Sequence, residues 1–193
     1  MLDKQPDASS PDSLIARRVR EERAKRAWTL VQLAERAHVS RAMISRIERG
    51  ESSPTAVLLA RLADALGVSL TALMSDRPAT RPALRRVHEQ PNWQDPSTGY
   101  VRRLVSPAGD PGETEVVAID LPPGARIHFE AADHLLSDEQ VVLLQGELRL
   151  EVGDETFHLA PGDCARIAAD QARAFCNDGT SPARYLVVMR HGV

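Results

Sequence analysis

The spacing of apolar residues changes near residue 76, and that change constrains the fold more than any other feature of the sequence. From residue 11 to residue 74, apolar residues recur at spacings of three and four, the period of an amphipathic helix. From about residue 99 onward, they lie in short runs of strand length that are separated by turn residues. A segment with the apolar period of a helix does not form a strand, and a segment with the strand pattern does not form a helix. The sequence therefore predicts two domains, an all-α domain followed by an all-β domain.

Start and stop signals divide the first part into five short helices. Thr29 with Gln32 forms a capping box, and His38 occupies a turn where a positive φ is expected. The other predicted N-caps are Ser10, Ser40, Ser53 and Ser69, and the predicted helix ends are Gly50 and Gly67. We expect a helical domain over residues 10–76, after a flexible tail over residues 1–9.

The second part has turn signals at close, regular spacing, as in a β-sandwich or barrel. The predicted strands cover residues 115–121, 126–130, 140–145, 147–152, 156–159, 172–176 and 183–189. Residues 77–98 hold four prolines, so they are predicted to form a linker with room for one strand. The all-β domain is expected over residues 99–193.

Charge is divided unevenly between the two parts. The chain has a net charge of −3, yet residues 13–50 hold ten Lys or Arg against four Glu, a net charge of +6. Residues 105–193 hold six Arg against fifteen acids, a net charge of −9. A basic part of this kind is typical of contact with a polyanion, although solvated helix faces would give the same composition.

The sequence also indicates the compartment. It holds no apolar run long enough to span a bilayer, and its acidic start does not resemble a signal peptide. We therefore expect a cytoplasmic protein with no membrane partner. Its two cysteines, Cys164 and Cys176, are predicted to be buried thiols.

Residues 39–54 read VSRAMISRIERGESSP and follow a predicted helix with the small residue Ala34 at a crossing position. This stretch resembles the XRE family of bacterial and phage repressors, and the resemblance covers about residues 13–74. It implies that a helix over residues 41–49 enters the major groove of double-stranded DNA, where arginine suits guanine. It implies that Thr29 holds a phosphate through its backbone N–H. The full set of implied DNA contacts is Thr29, Ser40, Arg41, Ala42, Ser45, Arg46 and Arg49.

The same resemblance implies a structural pair and a dimer. Glu48 matches a family position that pairs with an arginine of the first helix, here Arg23, rather than with DNA. One helix-turn-helix covers only half of an operator. The family therefore implies a homodimer on a near-palindromic operator.

The second part resembles the small cupin barrel, or jelly roll. His134 is followed by Glu139 and Gly146 at the spacing of the family's first motif, and residues 161–163 and Asn177 fit the second. The resemblance implies three His and one Glu as metal ligands, but Ala132 and Arg173 occupy two of those positions. We therefore expect no metal and no cofactor, since a guanidinium cannot ligate a metal.

Two interpretations of the cupin interior remain open. In one, Glu139 and Arg173 are a structural pair that only fills the barrel. In the other, Arg173 clamps a carboxylate or a similar anion in an effector pocket. The effector-binding candidates are His128, His134, Glu139 and Arg173.

Together these features predict a DNA-binding transcriptional regulator, a repressor rather than an enzyme, whose cupin domain binds a small effector. One alternative is a metal-dependent cupin enzyme of the helix-turn-helix–cupin epoxidase type. Another is a regulator that senses a metal.

Overall fold

The computed structural model describes residues 10–75, 82–107, 113–131, 136–168 and 170–191. The chain divides into two compact units, Met1–Arg77 and Pro78–Val193, which are described separately below. No helix within the described ranges is both long enough and apolar enough to cross a membrane.

The described part of the first unit consists of five helices, as the sequence predicts. They are α1 (Pro11–Lys25), α2 (Leu30–Ala37), α3 (Arg41–Glu48), α4 (Ala56–Leu66) and α5 (Leu70–Met74). Their buried apolar side chains include Leu33 of α2 and Ile44 and Ile47 of α3, which form one core with α1 and α4. This packing holds α3 against α2, as a helix-turn-helix requires.

Local signals set most of the helix ends. Ser10, Thr29, Ser40 and Ser69 cap their helices as predicted, and the capping box of Thr29 and Gln32 is complete. The predicted cap Ser53 is wrong, because α4 is capped by Thr55, whose hydroxyl accepts from the N–H of Leu58. The Ser53 hydroxyl donates instead to a carboxylate oxygen of Asp12, at 2.7 Å.

The turn between α2 and α3 depends on one residue in the left-handed region. His38 has φ 51° and ψ 41°, the conformation that the sequence pattern predicts for this position. Ala27, just before α2, also has a positive φ, of 52°, which no local signal indicates. The chain turns at these two residues, and the turns set the direction of α2 relative to α1 and α3.

The described residues of the second unit form one short 3-10 helix, Val87–Glu89, and ten strands. The strands are β1 (Asn92–Gln94), β2 (Val101–Leu104), β3 (Thr114–Leu121), β4 (Arg126–Phe129), β5 (Leu136–Gln145), β6 (Leu148–Val152), β7 (Glu155–Leu159), β8 (Cys164–Ile167), β9 (Arg173–Cys176) and β10 (Ala183–His191). Strands β2 and β8 do not follow from the sequence pattern, and β1 lies in the stretch predicted to be a linker with room for one strand.

These strands form two antiparallel sheets, in the orders β1-β2-β3-β10-β5-β8 and β4-β9-β6-β7. The predicted all-β class is thereby confirmed. The sheets pack through their apolar faces, where the rings of Phe175 and Tyr185 stack with centroids 5.4 Å apart. Cys176 is buried on β9 as predicted, whereas Cys164 is exposed on the edge strand β8, contrary to prediction.

Candidate DNA-binding surface and buried polar cluster

Helix α3 presents one polar face to solvent and one apolar face to the core. Ile44, Ile47 and Glu48 are buried on the inner face. The outer face holds the exposed residues Arg41, Ala42, Arg46 and Arg49 and the half-exposed Ser45, which are five of the predicted DNA contacts. The structure thus brings these five residues together on one surface, which is called the α3 face below.

Two further predicted contacts, Thr29 and Ser40, serve as helix caps. The Ser40 hydroxyl accepts from the N–H of Met43 at 3.2 Å. The N–H of Thr29, which was expected to hold a phosphate, donates to the side-chain oxygen of Gln32 at 2.8 Å. A phosphate at this helix end would therefore have to displace Gln32 or use other N–H groups of the first turn.

One residue of the α3 face has its charge offset by a neighbour that the sequence did not single out. Nε and Nη2 of Arg49 bind the two carboxylate oxygens of Glu51, each at 2.6 Å, and Nη1 donates to Ser45. The hydrogen bonds from Arg49 hold the pKa of Glu51 below its usual value. An acidic side chain therefore borders the α3 face.

The expected partners Arg23 and Glu48 lie in contact. Nε and Nη2 of Arg23 bind the two oxygens of Glu48 at 2.6 and 2.7 Å. The remaining nitrogen of Arg23 donates to the backbone oxygen of Trp28 at 2.7 Å, and Arg20 donates to the backbone oxygen of Glu48. This buried network joins α1 to α3 and to the segment that leads into α2.

In the second unit, Glu139 and Arg173 form an ion pair that joins the two sheets. Nη2 of Arg173 lies 2.7 Å from a carboxylate oxygen of Glu139, and the two residues are only 8% and 5% exposed, respectively. The Arg173 guanidinium also lies over the ring of Phe129, with its carbon 5.5 Å from the ring centroid. A buried pair of this kind is costly to break.

Of the other two effector candidates, only His128 is described, and it lies away from this pair. His128 is next to Phe129 on β4, so its side chain points to the opposite face of the strand. There it lies 3.5 Å from the carboxylate of Glu130, and the prediction that it lines the pocket is wrong. His134 and the Ala132 position lie outside the described residues.

Three buried residues on or beside β1 and β2 were not singled out from the sequence. Tyr100 and Arg102 share one face at the start of β2, and they are hydrogen-bonded to each other. Burial raises the pKa of Tyr100, and the charge of Glu139 acts in the same direction. Trp93 pairs with Arg102 across β1 and β2. The alternation of Tyr100, Arg102 and Leu104 was a signal for this buried face.

Within the part of the chain that the structure describes, no three His, Cys, Asp or Glu side chains are close enough to hold a metal ion. The buried polar or charged residues in the described part of the second unit are Asp95, Arg102, Glu139, Arg173 and Asn177.

Comparison with known proteins agrees with both units. A helix-turn-helix family model matches residues 19–73, and a cupin domain model matches residues 117–189. A solved HTH_3 family transcriptional regulator from Vibrio cholerae is 24% identical, with a TM-score of 0.76 over 94% of this chain and 97% of that chain. It shares the fold.

Curated relatives are also regulators. The HTH-type transcriptional regulator SutR of Escherichia coli is 30% identical over 164 residues, which are 84% of this chain and 86% of that protein. An immunity repressor protein of Bacillus phage phi105 is 36% identical over 62 residues, 32% of this chain and 43% of that protein. The chain therefore belongs to the family of helix-turn-helix transcriptional regulators that carry a cupin domain.

Proposed function

We propose that this regulator is a homodimeric repressor that acts in the cytoplasm on a near-palindromic operator. The observation that carries the proposal is the α3 face, where Arg41 and Arg46 stand exposed on a helix whose other side is fixed in the core. Side chains held in this way can enter a major groove without reorganising the domain. One such helix per chain reads half of a two-fold operator.

The operator itself provides the first test. We expect specific binding to a near-palindrome whose half-sites lie about one helical turn, ~34 Å, apart, because two copies of α3 must read successive major grooves. Footprinting on selected DNA should show two protected patches on one face of the duplex. Tight binding of a single chain to an asymmetric half-site would contradict the proposed dimer.

Replacing Arg46 with alanine tests the α3 face. If Arg46 reads a base, the variant loses about 1–3 kcal/mol of binding free energy and relaxes the preference at one base pair. Competition binding against operators that vary at single positions measures both effects. Arg61→Ala is the matched control, since Arg61 is also exposed but lies on α4. A loss that is equal for all sequences, with a shallower salt dependence, would make Arg46 a phosphate contact instead.

We further propose that the second unit is a sensor for a small molecule and not a catalytic domain. The support is Arg173, a permanent cation that lies 2.7 Å from Glu139 at a position where metal-binding cupins have a ligand. A fixed positive charge in this place opposes a divalent ion, and an anionic ligand could bind it by taking the place of Glu139 as its partner. In this proposal the occupant of the interior changes the affinity of the dimer for its operator.

A further inference from the structure

Arg49 differs from Arg46, its neighbour on the α3 face, in how its guanidinium is held. Nε and Nη2 of Arg49 bind the two carboxylate oxygens of Glu51, each at 2.6 Å, and Nη1 donates to the hydroxyl of Ser45. The guanidinium of Arg46, by contrast, contacts the sulfur of Met43 at 3.7 Å, and a thioether is a weak acceptor. Arg49 is therefore held along the protein surface, whereas Arg46 is freer to enter a groove.

The backbone at the end of α3 places Glu51 beside Arg49. Gly50 has φ 70°, in the left-handed region. The N–H of Gly50 donates to the backbone oxygen of Ile47 at 2.8 Å, and the N–H of Glu51 donates to that of Arg46 at 2.9 Å. These two bonds form a Schellman motif, which turns the chain back against the last turn of the helix. The pair of Arg49 and Glu51 therefore rests on a fixed helix end, although both side chains are about half exposed.

The contact with Arg49 gives the hydroxyl of Ser45 a preferred hydrogen-bonding role. A serine hydroxyl can donate one hydrogen bond and accept two. Here the oxygen accepts from a charged group. Such a bond polarises the hydroxyl, so its proton becomes a stronger donor and its oxygen a poorer acceptor for a second donor. The half-exposed Ser45 therefore offers mainly a donor to a partner outside the protein.

We propose that Arg49 and Glu51 are positioning residues, which make Ser45 a hydrogen-bond donor toward DNA and so reject cytosine at one base pair. The major-groove edge of cytosine presents an amino donor, whereas guanine, adenine and thymine each present an acceptor. A donor hydroxyl can bind any of those three bases, but it meets the amino group of cytosine unfavourably. This inference rests on the proposed operator binding and names the residues that set its specificity at one position.

The base pair read by Ser45 is found with Ser45→Ala in the full-length protein. Competition binding against operators that carry each of the four bases at every position gives the preference at each position. We expect the native chain to bind the cytosine operator about tenfold more weakly than the best operator at a single position of each half-site. Ser45→Ala should reduce that ratio to about twofold and leave the other positions unchanged.

Two variants with opposite charge changes test the positioning role. Arg49→Met removes the donor to Ser45 and one positive charge, whereas Glu51→Ala removes the anchor of Arg49 and one negative charge. The overall affinity should therefore fall in the first variant and rise in the second, with a shallower and a steeper salt dependence, respectively. In both variants the rejection of cytosine should fall to about threefold, because the hydroxyl becomes a better acceptor.

Glu35→Ala is the matched control, since Glu35 is an exposed acid of the same unit that lies on α2. This variant removes the same charge as Glu51→Ala, but it leaves the contact between Arg49 and Ser45 in place. The rejection of cytosine should therefore stay unchanged. In the Ser45→Ala background, neither Arg49→Met nor Glu51→Ala should alter the preference at this position, because both act through the hydroxyl.

Three results would overturn the inference. If Arg49→Met and Glu51→Ala changed the affinity equally for all four bases, Arg49 would be only a phosphate contact. A changed preference at a different base pair in Arg49→Met would make Arg49 a base contact itself. Preferences that Ser45→Ala leaves unchanged at every position would show that Ser45 reads no base. These three results leave specific operator binding intact, whereas equal binding of the native chain to all sequences would contradict the proposed function together with this inference.

Discussion

Replacing Glu48 with alanine should lower the free energy of unfolding of the helical unit by about 3–5 kcal/mol. The change leaves the largely buried guanidinium of Arg23 without the carboxylate that now binds it at 2.6 and 2.7 Å. It also removes the ion pair between α1 and α3, so operator binding should weaken through loss of folded protein. Urea denaturation followed by far-ultraviolet circular dichroism measures the change.

Glu51→Ala is the control for this experiment. Glu51 also binds an arginine through both oxygens, but this pair is about half exposed and lies at the end of α3. Because water screens such pairs, the control should leave the stability nearly unchanged. If Glu48→Ala abolished operator binding while the stability stayed the same, Glu48 would be a DNA contact and its assignment as a structural residue would be wrong.

The second large effect is expected for Gly146→Ala, in the turn between β5 and β6. Gly146 has φ +84°, and a Cβ there would lie 2.7 Å from the backbone oxygen of Pro182 and 3.0 Å from the Cα of Ala183. Both are backbone atoms that no side-chain rotation can move away. We expect a loss of about 3 kcal/mol or more in the stability of the second unit, measured by calorimetric unfolding.

Gly124→Ala separates the two causes of that loss. Gly124 has a similar φ, +72°, but a Cβ there would meet nothing within 4 Å. This variant should therefore lose only the cost of the left-handed conformation, about 1–2 kcal/mol. Equal losses in the two variants would mean that the contact with Pro182 relaxes and that only the backbone conformation matters.

The helical unit could be predicted in detail because its signals are local. The capping box of Thr29 and the left-handed His38 depend on residues within one turn of each other. The error at Ser53 has a non-local cause. Its hydroxyl contacts Asp12, which lies 41 residues earlier in the chain, and no local pattern indicates that contact.

The polar interior of the second unit was harder to predict for the same reason. Arg102 and Trp93 are buried because β1 and β2 pair and extend the larger sheet, and the two short strands lie in or beside an apparent linker. The family spacing placed Glu139 and Arg173 together, and they are in contact. The family spacing gave no information about which face of a strand a residue is on, so His128 was assigned to the interior. The neighbouring Phe129 faces Arg173, and His128 therefore points to the opposite face of β4.

Because the two cysteines differ in burial, their rates of alkylation can report the local unfolding of the second unit. The thiol of Cys164 is open to alkylating reagents in the folded state, whereas Cys176 is covered on β9 beside Glu151. Burial also raises the pKa of the Cys176 thiol, which disfavours the reactive thiolate. The extent of alkylation at Cys164 therefore measures the total amount of protein. The rate of alkylation at Cys176 measures how often β9 separates from its neighbouring strands.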